Sequence, residues 1–147
     1  MRDLEGFTFE SRRRTITDVD FSLLNTLVWA IAPIHTDRTS IESSGFSDLV
    51  MDGPAALAVA IGLAVMAESD AVWVPHALRP VALLGLENVK FLAPTYSGDT
   101  LSVESAVTSW RESSNKGRYV ARYRESADKS DGTSVITWDR VMLIESV

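Results

Sequence analysis

Cysteine is absent from the sequence, and histidine occurs only twice among 147 residues. The lack of cysteine excludes disulfides, a thiolate nucleophile and any cysteine-ligated metal. Structural zinc sites rely on several Cys or His ligands, which two histidines cannot supply. We therefore expect no metal and no cofactor, and nothing in this composition favours secretion.

Positive charge is scarce as well. Fourteen Lys and Arg stand against twenty Asp and Glu, so the formal net charge is −6. Nucleic-acid binding needs a clustered positive field, and the short run Arg12-Arg13-Arg14 does not reverse the overall balance. The charge therefore predicts that no nucleic acid is bound.

Uncharged runs long enough to span a membrane are also missing. No apolar segment follows the first positive residue, so the sequence predicts no signal peptide and a cytoplasmic location. The longest uncharged stretch, 53–67, is shorter than the ~20 residues that a membrane-spanning helix needs. We expect a soluble protein with no membrane partner and interpret this stretch as a buried core helix.

Glycine and proline are few, with 8 and 5 residues, which excludes collagen-like and low-complexity chains. Apolar residues make up 46% of the sequence, a proportion typical of folded globular proteins. A chain of this length is about the size of one domain. We predict a single domain over residues 1–147.

Helical patterns occupy the first half of the chain. Residues 17–32 carry apolar residues at helical spacing, and Thr17 with Asp20 three positions later resembles a capping box. A second, short helix with Asp37 as its N-cap is predicted to end at Ser43. Both helices precede the distinctive apolar segment.

The distinctive segment begins at Asp52-Gly53-Pro54 and continues through thirteen apolar or glycine positions, 55–67. Proline in the first turn behind an Asp-Gly pair is a strong helix start. Because this helix has no polar side, we expect other structure to cover it on most sides.

Segments rich in Val, Leu, Thr and aromatic residues, separated by turn-forming residues, make up most of the remainder. Five of them are predicted as antiparallel strands: 7–16, 81–92, 100–111, 117–125 and 134–144. The irregular stretch 69–79 is expected to be a loop over the site. The pattern predicts an α+β hot-dog fold, a long antiparallel sheet wrapped around one central apolar helix.

Several short motifs carry a resemblance to a known family. They are PIHTD at 33–37, GF at 45–46, DG at 52–53, LENVKFLAP at 86–94 and GDTL at 98–101. Together they resemble the MaoC-like dehydratases, which include the R-specific enoyl-CoA hydratases, over nearly the whole chain. Within that family the chain is most similar to the mesaconyl-CoA hydratases, on the motif RTIT at 14–17, Asn25 and the motif RES at 111–113.

The resemblance implies an enoyl or 3-hydroxyacyl thioester of CoA or acyl-carrier protein as substrate, bound beside the central helix. It assigns His35 as a general acid and base and the Gly53 N–H as a donor to the thioester oxygen. Asn25, Ala30, Phe46 and Pro54 are expected to contact substrate. Because an isolated sheet of this kind would leave an edge strand unpaired, we also expect a homodimer or larger assembly, with the cleft between subunits.

The chain departs from the family pattern at the expected catalytic carboxylate. Five residues before His35, where the family has Asp, stands Ala30, and three before it, where Asn is common, stands Ala32. Asp52 is a candidate replacement carboxylate. Each candidate also has a structural interpretation: His35 as a helix cap, Asp52 as a helix start and Gly53 as relief of crowding.

These observations predict a hydro-lyase of the MaoC-like type acting on acyl thioesters. Two alternatives stay open because the family's carboxylate is missing at Ala30. In the first alternative, the chain is a non-catalytic hot-dog subunit that completes the cleft of an active partner. In the second, it is a protein of altered chemistry, such as thioester hydrolysis or double-bond isomerisation.

Overall fold

One long helix and four long strands account for most of the computed structural model, which describes residues 3–147. In chain order the elements are β1 (Thr8–Glu10), β2 (Arg14–Thr15), α1 (Asp18–Leu27), α2 (Pro33–Thr36), a 3-10 helix (Arg38–Ser43), α3 (Gly53–Glu68), a π-helical turn (Ser69–Trp73), α4 (Val74–His76), β3 (Leu78–Phe91), β4 (Thr100–Glu112), β5 (Arg118–Lys129) and β6 (Ser134–Ser146). The predicted combination of one apolar helix with a long antiparallel sheet is confirmed.

The sheet order is β1-β4-β5-β6-β3, and β2 also pairs with β4. Strands β4, β5 and β6 are joined by hairpins, whereas β3 crosses over and pairs with β6 at the far edge. The four segments predicted as long strands are therefore strands, but sequence neighbours β3 and β4 are not sheet neighbours. Only one side of β3 is paired within the described part of the chain.

The predicted strand 7–16 is divided into the two short strands β1 and β2. Between them the Ser11 hydroxyl, in place of a backbone carbonyl, accepts the hydrogen bond of the Val103 N–H at 2.8 Å. This side-chain contact interrupts the regular ladder along β4, which explains why one continuous strand does not form.

Helix α1 begins as predicted and ends earlier than predicted. Thr17 and Asp20 form the capping box. The helix stops at Leu27 because Trp29 adopts a left-handed conformation, with φ of 56°, and the Ala30 N–H returns to the Asn25 carbonyl at 2.9 Å. This is a Schellman ending, which places Ala30 outside the helix.

Helix α3 begins at Gly53 with Asp52 as its N-cap, as the sequence predicts. Its buried residues face the sheet, and its N-terminal half packs against β4 and β6 in the main core. The expectation that other structure covers it on most sides holds only in part, because one row of residues along the helix is exposed. The row consists of every fourth residue: Pro54, Ala58, Gly62 and Met66.

The stretch 69–79, expected to be a loop, is mostly helical. The π-helical turn and α4 continue α3 to His76, and Ala77, with φ of 51°, ends the run. The resulting helix 53–76 is long and apolar enough to cross a membrane by length and composition alone, a test that soluble core helices also pass. The expectation that this helix is too short to span a membrane was therefore wrong. Its packing in the core is as predicted.

A fully buried charge cluster joins the C-terminal end of α3 to the sheet. The Arg140 guanidinium donates to Glu68 and to Glu125, each at 2.7 Å, and all three side chains are inaccessible to solvent. The Tyr123 hydroxyl and the Trp73 indole N–H also donate to Glu68. Burial and the neighbouring Glu68 carboxylate raise the pKa of Tyr123, so its hydroxyl stays protonated and remains a donor.

We predict that Arg140→Met lowers the free energy of unfolding by about 3–5 kcal/mol, because two buried carboxylates lose the cation that neutralises them. Arg124→Met on the neighbouring strand is the matched control. The Arg124 side chain is 74% exposed, so its loss should cost less than about 1 kcal/mol. Urea denaturation of both variants measures the difference, and equal effects would contradict the anchoring role of Arg140.

Candidate active site

His35 lies in the short helix α2, and its ring is held by the backbone of a neighbouring segment. Its Nδ1 lies 2.7 Å from the Val50 carbonyl oxygen. Because a carbonyl oxygen can only accept, Nδ1 carries the hydrogen, and Nε2 of the neutral ring is a free base. The side chain is only 11% exposed. The fold therefore fixes both the orientation and the tautomer of this imidazole.

Asp52 faces the free nitrogen of that ring. Its Oδ2 lies 3.8 Å from His35 Nε2, while its Oδ1 accepts the Ala55 N–H at 3.4 Å as the helix cap. The Asp52 N–H donates to Asn25 Oδ1 at 2.9 Å. The candidate replacement carboxylate thus lies beside the imidazole and also performs the structural role that the sequence suggested.

Gly53 contributes a free amide at the same point. Pro54 has no N–H, and the next two amides, of Ala55 and Ala56, both donate to Asp52. Among the described residues, the Gly53 N–H has no acceptor, and it lies at the positive end of α3. A Cβ at Gly53 would lie 3.0 Å from the Phe91 ring, which supplies a packing reason for glycine that the sequence did not reveal.

A cavity of about 500 Å³ opens in front of His35 and Gly53. Phe46 and Pro54, two of the expected substrate contacts, lie in its wall. Most of the remaining wall is apolar and comes from the end of β3, the segment after it and the start of β6: Phe91, Leu92, Ala93, Pro94, Val135 and Ile136. The cavity suits an apolar chain.

Asn25 and Ala30, the other two expected substrate contacts, line a different cavity. It measures about 270 Å³ and lies on the α1 side of His35, which is part of both walls. Asn25 is only 5% exposed, so it lies on the buried side of α1. His35 therefore separates an apolar cavity from a smaller, more polar one.

Four residues of the cavity wall were not predicted as site residues: Phe91, Leu92, Val135 and Ile136. Phe91 and Leu92 belong to the motif at 86–94 that carried the family resemblance, so a signal was present for them. Val135 and Ile136 lie in β6, and only the crossover that places β6 beside β3 brings them to the site. No sequence pattern indicated that pairing.

A larger groove, of about 580 Å³, lies on the outer face of the sheet and is separate from His35. It includes Asp139, whose carboxylate already accepts hydrogen bonds from Asn88 and Arg124. No group of three or more potential metal-ligating side chains occurs within residues 3–147. The chemistry of the described chain is therefore concentrated at the junction of His35, Asp52 and Gly53.

The chain is 26% identical over 134 residues to a mitochondrial 3-hydroxyacyl-[acyl-carrier-protein] dehydratase of Solanum lycopersicum, a match that covers 91% of this chain and 73% of that protein.

Two solved structures share the fold. One is a MaoC domain protein dehydratase of Chloroflexus aurantiacus, with a TM-score of 0.84, 22% identity and coverage of 99% of this chain and 39% of that chain. The other is a Mycobacterium tuberculosis protein with a double hot-dog fold, with a TM-score of 0.81, 18% identity and coverage of 97% and 42%. The predicted hot-dog fold is confirmed.

The family comparison covers most of the sequence, since residues 6–129 match the family described as the MaoC like domain. That span includes the whole junction formed by His35, Asp52 and Gly53. The chain therefore belongs to the MaoC-like domain family, as the motifs at 33–37, 52–53 and 86–94 indicated.

Proposed function

We propose that the protein hydrates enoyl thioesters and dehydrates 3-hydroxyacyl thioesters carried on CoA or acyl-carrier protein. The observation that carries the proposal is the convergence of a free imidazole nitrogen, a carboxylate and an unpaired amide at one end of α3. The apolar cavity beside them offers space for an acyl chain. The tomato relative, named as a 3-hydroxyacyl-[acyl-carrier-protein] dehydratase, supports the same reaction class.

One base is sufficient for this reaction. In hydration, His35 Nε2 takes a proton from water while the water oxygen bonds to Cβ of the enoyl thioester. The electrons of the Cα=Cβ bond move toward the thioester oxygen, and the imidazolium then returns its proton to Cα. Water is consumed, His35 ends in its starting state, and dehydration follows the reverse path.

The Gly53 N–H is suited to the charge that develops on the thioester oxygen. An amide that is already oriented needs no reorganisation during the reaction, and removal of such a donor in other enzymes costs about 10²–10³-fold in kcat. Pro54 contributes to this arrangement by having no N–H of its own. The first turn of α3 therefore presents one well-defined donor at Gly53.

Asp52 is suited to stabilise the imidazolium that forms on His35. Two opposite charges 3.8 Å apart attract by about 4 kcal/mol at an effective dielectric constant of about 20. Asp52, the N-cap of α3, lies close to Nε2 and is suited to replace the family carboxylate that is missing at Ala30. This contact favours an active chain over a non-catalytic subunit.

The active form is proposed to be a homodimer, with a second copy covering the open edge of β3. That edge is long and apolar, and its exposed side chains include Leu83, Leu84 and Phe91, each at least 50% exposed. Unpaired apolar edges of this kind are normally covered. Since Phe91 and Leu92 also wall the apolar cavity, a second copy placed there would close it.

The purified protein should hydrate crotonyl-CoA without any partner. His35→Asn should lower kcat/KM by about 10²–10⁴-fold, because Nε2 is lost while an amide can still donate to the Val50 carbonyl. The loss of absorbance of the enoyl thioester measures the rate. Calorimetric titration with butyryl-CoA, which cannot react, tests whether the variant still binds the thioester. Binding without hydration would support the non-catalytic subunit instead.

Replacement of Asp52 by asparagine should separate its two roles. Asparagine caps helices about as well as aspartate, so the unfolding midpoint should stay nearly constant. Loss of the charge beside the imidazolium should lower kcat by about 10–100-fold. A variant that keeps full kcat at wild-type stability would restrict Asp52 to its capping role.

Sedimentation velocity should show a dimer of the wild-type chain. Leu84→Lys should shift the population toward monomer, because a charge on the apolar edge opposes its burial. Val19→Lys, at a 72% exposed apolar position on α1, is the matched control and should leave the dimer intact. Dissociation by the control alone would place the contact on α1 rather than on β3.

A further inference from the structure

The cavity that opens in front of His35 and Gly53 has a wall without a lasting positive charge. Among the described residues that line it there is no Lys or Arg, and the titratable side chain is His35. A carboxylate that entered this cavity would lose its water without gaining a cation, which is costly for an ionised group. The wall therefore distinguishes charged from uncharged acyl chains.

His35 is not available as the partner of a carboxylate on the acyl chain. Its Nδ1 donates to the Val50 carbonyl oxygen at 2.7 Å, and its Nε2 faces Asp52 Oδ2 at 3.8 Å. In the proposed reaction Nε2 also accepts and returns the proton that is transferred. The Asp52 carboxylate is itself a negative charge beside the ring, so it repels a second anion there.

The N-terminus of α3 would attract an anion, but the cap residue already supplies one. Asp52 Oδ1 accepts the Ala55 N–H at 3.4 Å, and the Ala56 N–H donates to the Asp52 carbonyl at 2.9 Å. Pro54 has no N–H, so the amide left free within the described part of this turn is that of Gly53. The proposed reaction uses this amide for the thioester oxygen, so it is not available to a carboxylate at the far end of the acyl chain.

Positively charged side chains of the neighbouring segments are directed elsewhere. Lys90 comes directly before Phe91 in β3, and because side chains alternate along a strand it lines the groove on the outer face of the sheet. Arg38 follows α2 and bonds to Asp48 at 2.5 Å. The Arg140 side chain is fully buried and bonds to two carboxylates. These contacts keep three nearby cations away from the acyl cavity.

We infer that the site selects acyl thioesters with an uncharged aliphatic chain and rejects those that carry a second carboxylate. This selectivity rests on the proposed function, because it requires the acyl chain to lie in the apolar cavity beside His35. It also narrows the substrate class. The similarity to the mesaconyl-CoA hydratases implies an acyl group with a free carboxylate, since the mesaconyl group carries one. The apolar wall opposes that group, so the similarity does not extend to the acyl chain.

Two thioesters of equal size isolate the second charge. Succinyl-CoA ends in a carboxylate, and 4-methylpentanoyl-CoA has the same number of heavy atoms, with methyl groups in place of the two carboxylate oxygens. Neither ligand has a Cα=Cβ bond or a hydroxyl at C3, so neither turns over. Isothermal titration with the wild-type chain at neutral pH should show at least about 100-fold weaker binding of succinyl-CoA, because its carboxylate finds no partner.

Two variants then add a cation to the cavity wall. Leu92→Arg places it just after β3, and Phe46→Lys places it on the segment before α3. Each should reduce the preference for the uncharged thioester to less than about tenfold, because the carboxylate gains a partner. Leu23→Arg on α1 is the matched control, since Leu23 is 54% exposed against 55% for Leu92 and lies outside the cavity. It should keep the full preference. Phe46→Lys decides the test if Leu92→Arg alters the assembly, which sedimentation velocity shows.

The outcomes separate the selectivity from the proposed function. If the wild-type chain binds neither ligand, the thioester site and the selectivity both fail. If it binds both ligands with similar affinity, the thioester site stands and the selectivity is overturned. A preference that neither cation variant reduces, although both still bind 4-methylpentanoyl-CoA, would overturn the role of this cavity wall. Loss of the preference in Leu23→Arg would also overturn it, because overall charge would then be the cause.

Discussion

The architecture depends on polar anchors at the two ends of a helix that has almost no polar side chains. From Gly53 to Ala67 nothing in α3 distinguishes one face from another by polarity, so apolar burial alone would accept several rotations of the helix against the sheet. Asp52 at the start and Glu68 at the end bond to specific partners on other segments. These contacts select one rotation, and with it the direction of the free Gly53 amide.

The same anchors connect the fold with the chemistry. The Asn25 side chain holds the Asp52 backbone, and the Val50 carbonyl holds the His35 ring. Two hydrogen bonds and the 3.8 Å approach of Asp52 to His35 therefore set the point where α1, α2 and α3 meet. Preorganisation of this kind is what electrostatic catalysis requires, because the groups do not have to move as charge develops. A polar residue on α1 therefore helps to position the proposed reaction centre at the end of α3.

Local signals in the sequence were sufficient for much of the fold, and non-local contacts explain the rest. The capping box at Thr17 and the start of α3 depend on neighbouring residues, and both were predictable. The end of α1 was not, because the left-handed Trp29 has no propensity signal. The spacing of the leucines does not show which face of α1 is buried, since Leu23 and Leu27 are exposed while Asn25 is buried.

Asp52 serves both as a helix cap and as a neighbour of the imidazole, which affects how related sequences should be interpreted. Selection for folding alone would preserve an acidic or amide residue before the glycine, even in a descendant that had lost its activity. Retention of this aspartate is thus a poor marker of function across a lineage. A change from aspartate to asparagine is more informative, because it keeps the cap and gives up only the charge.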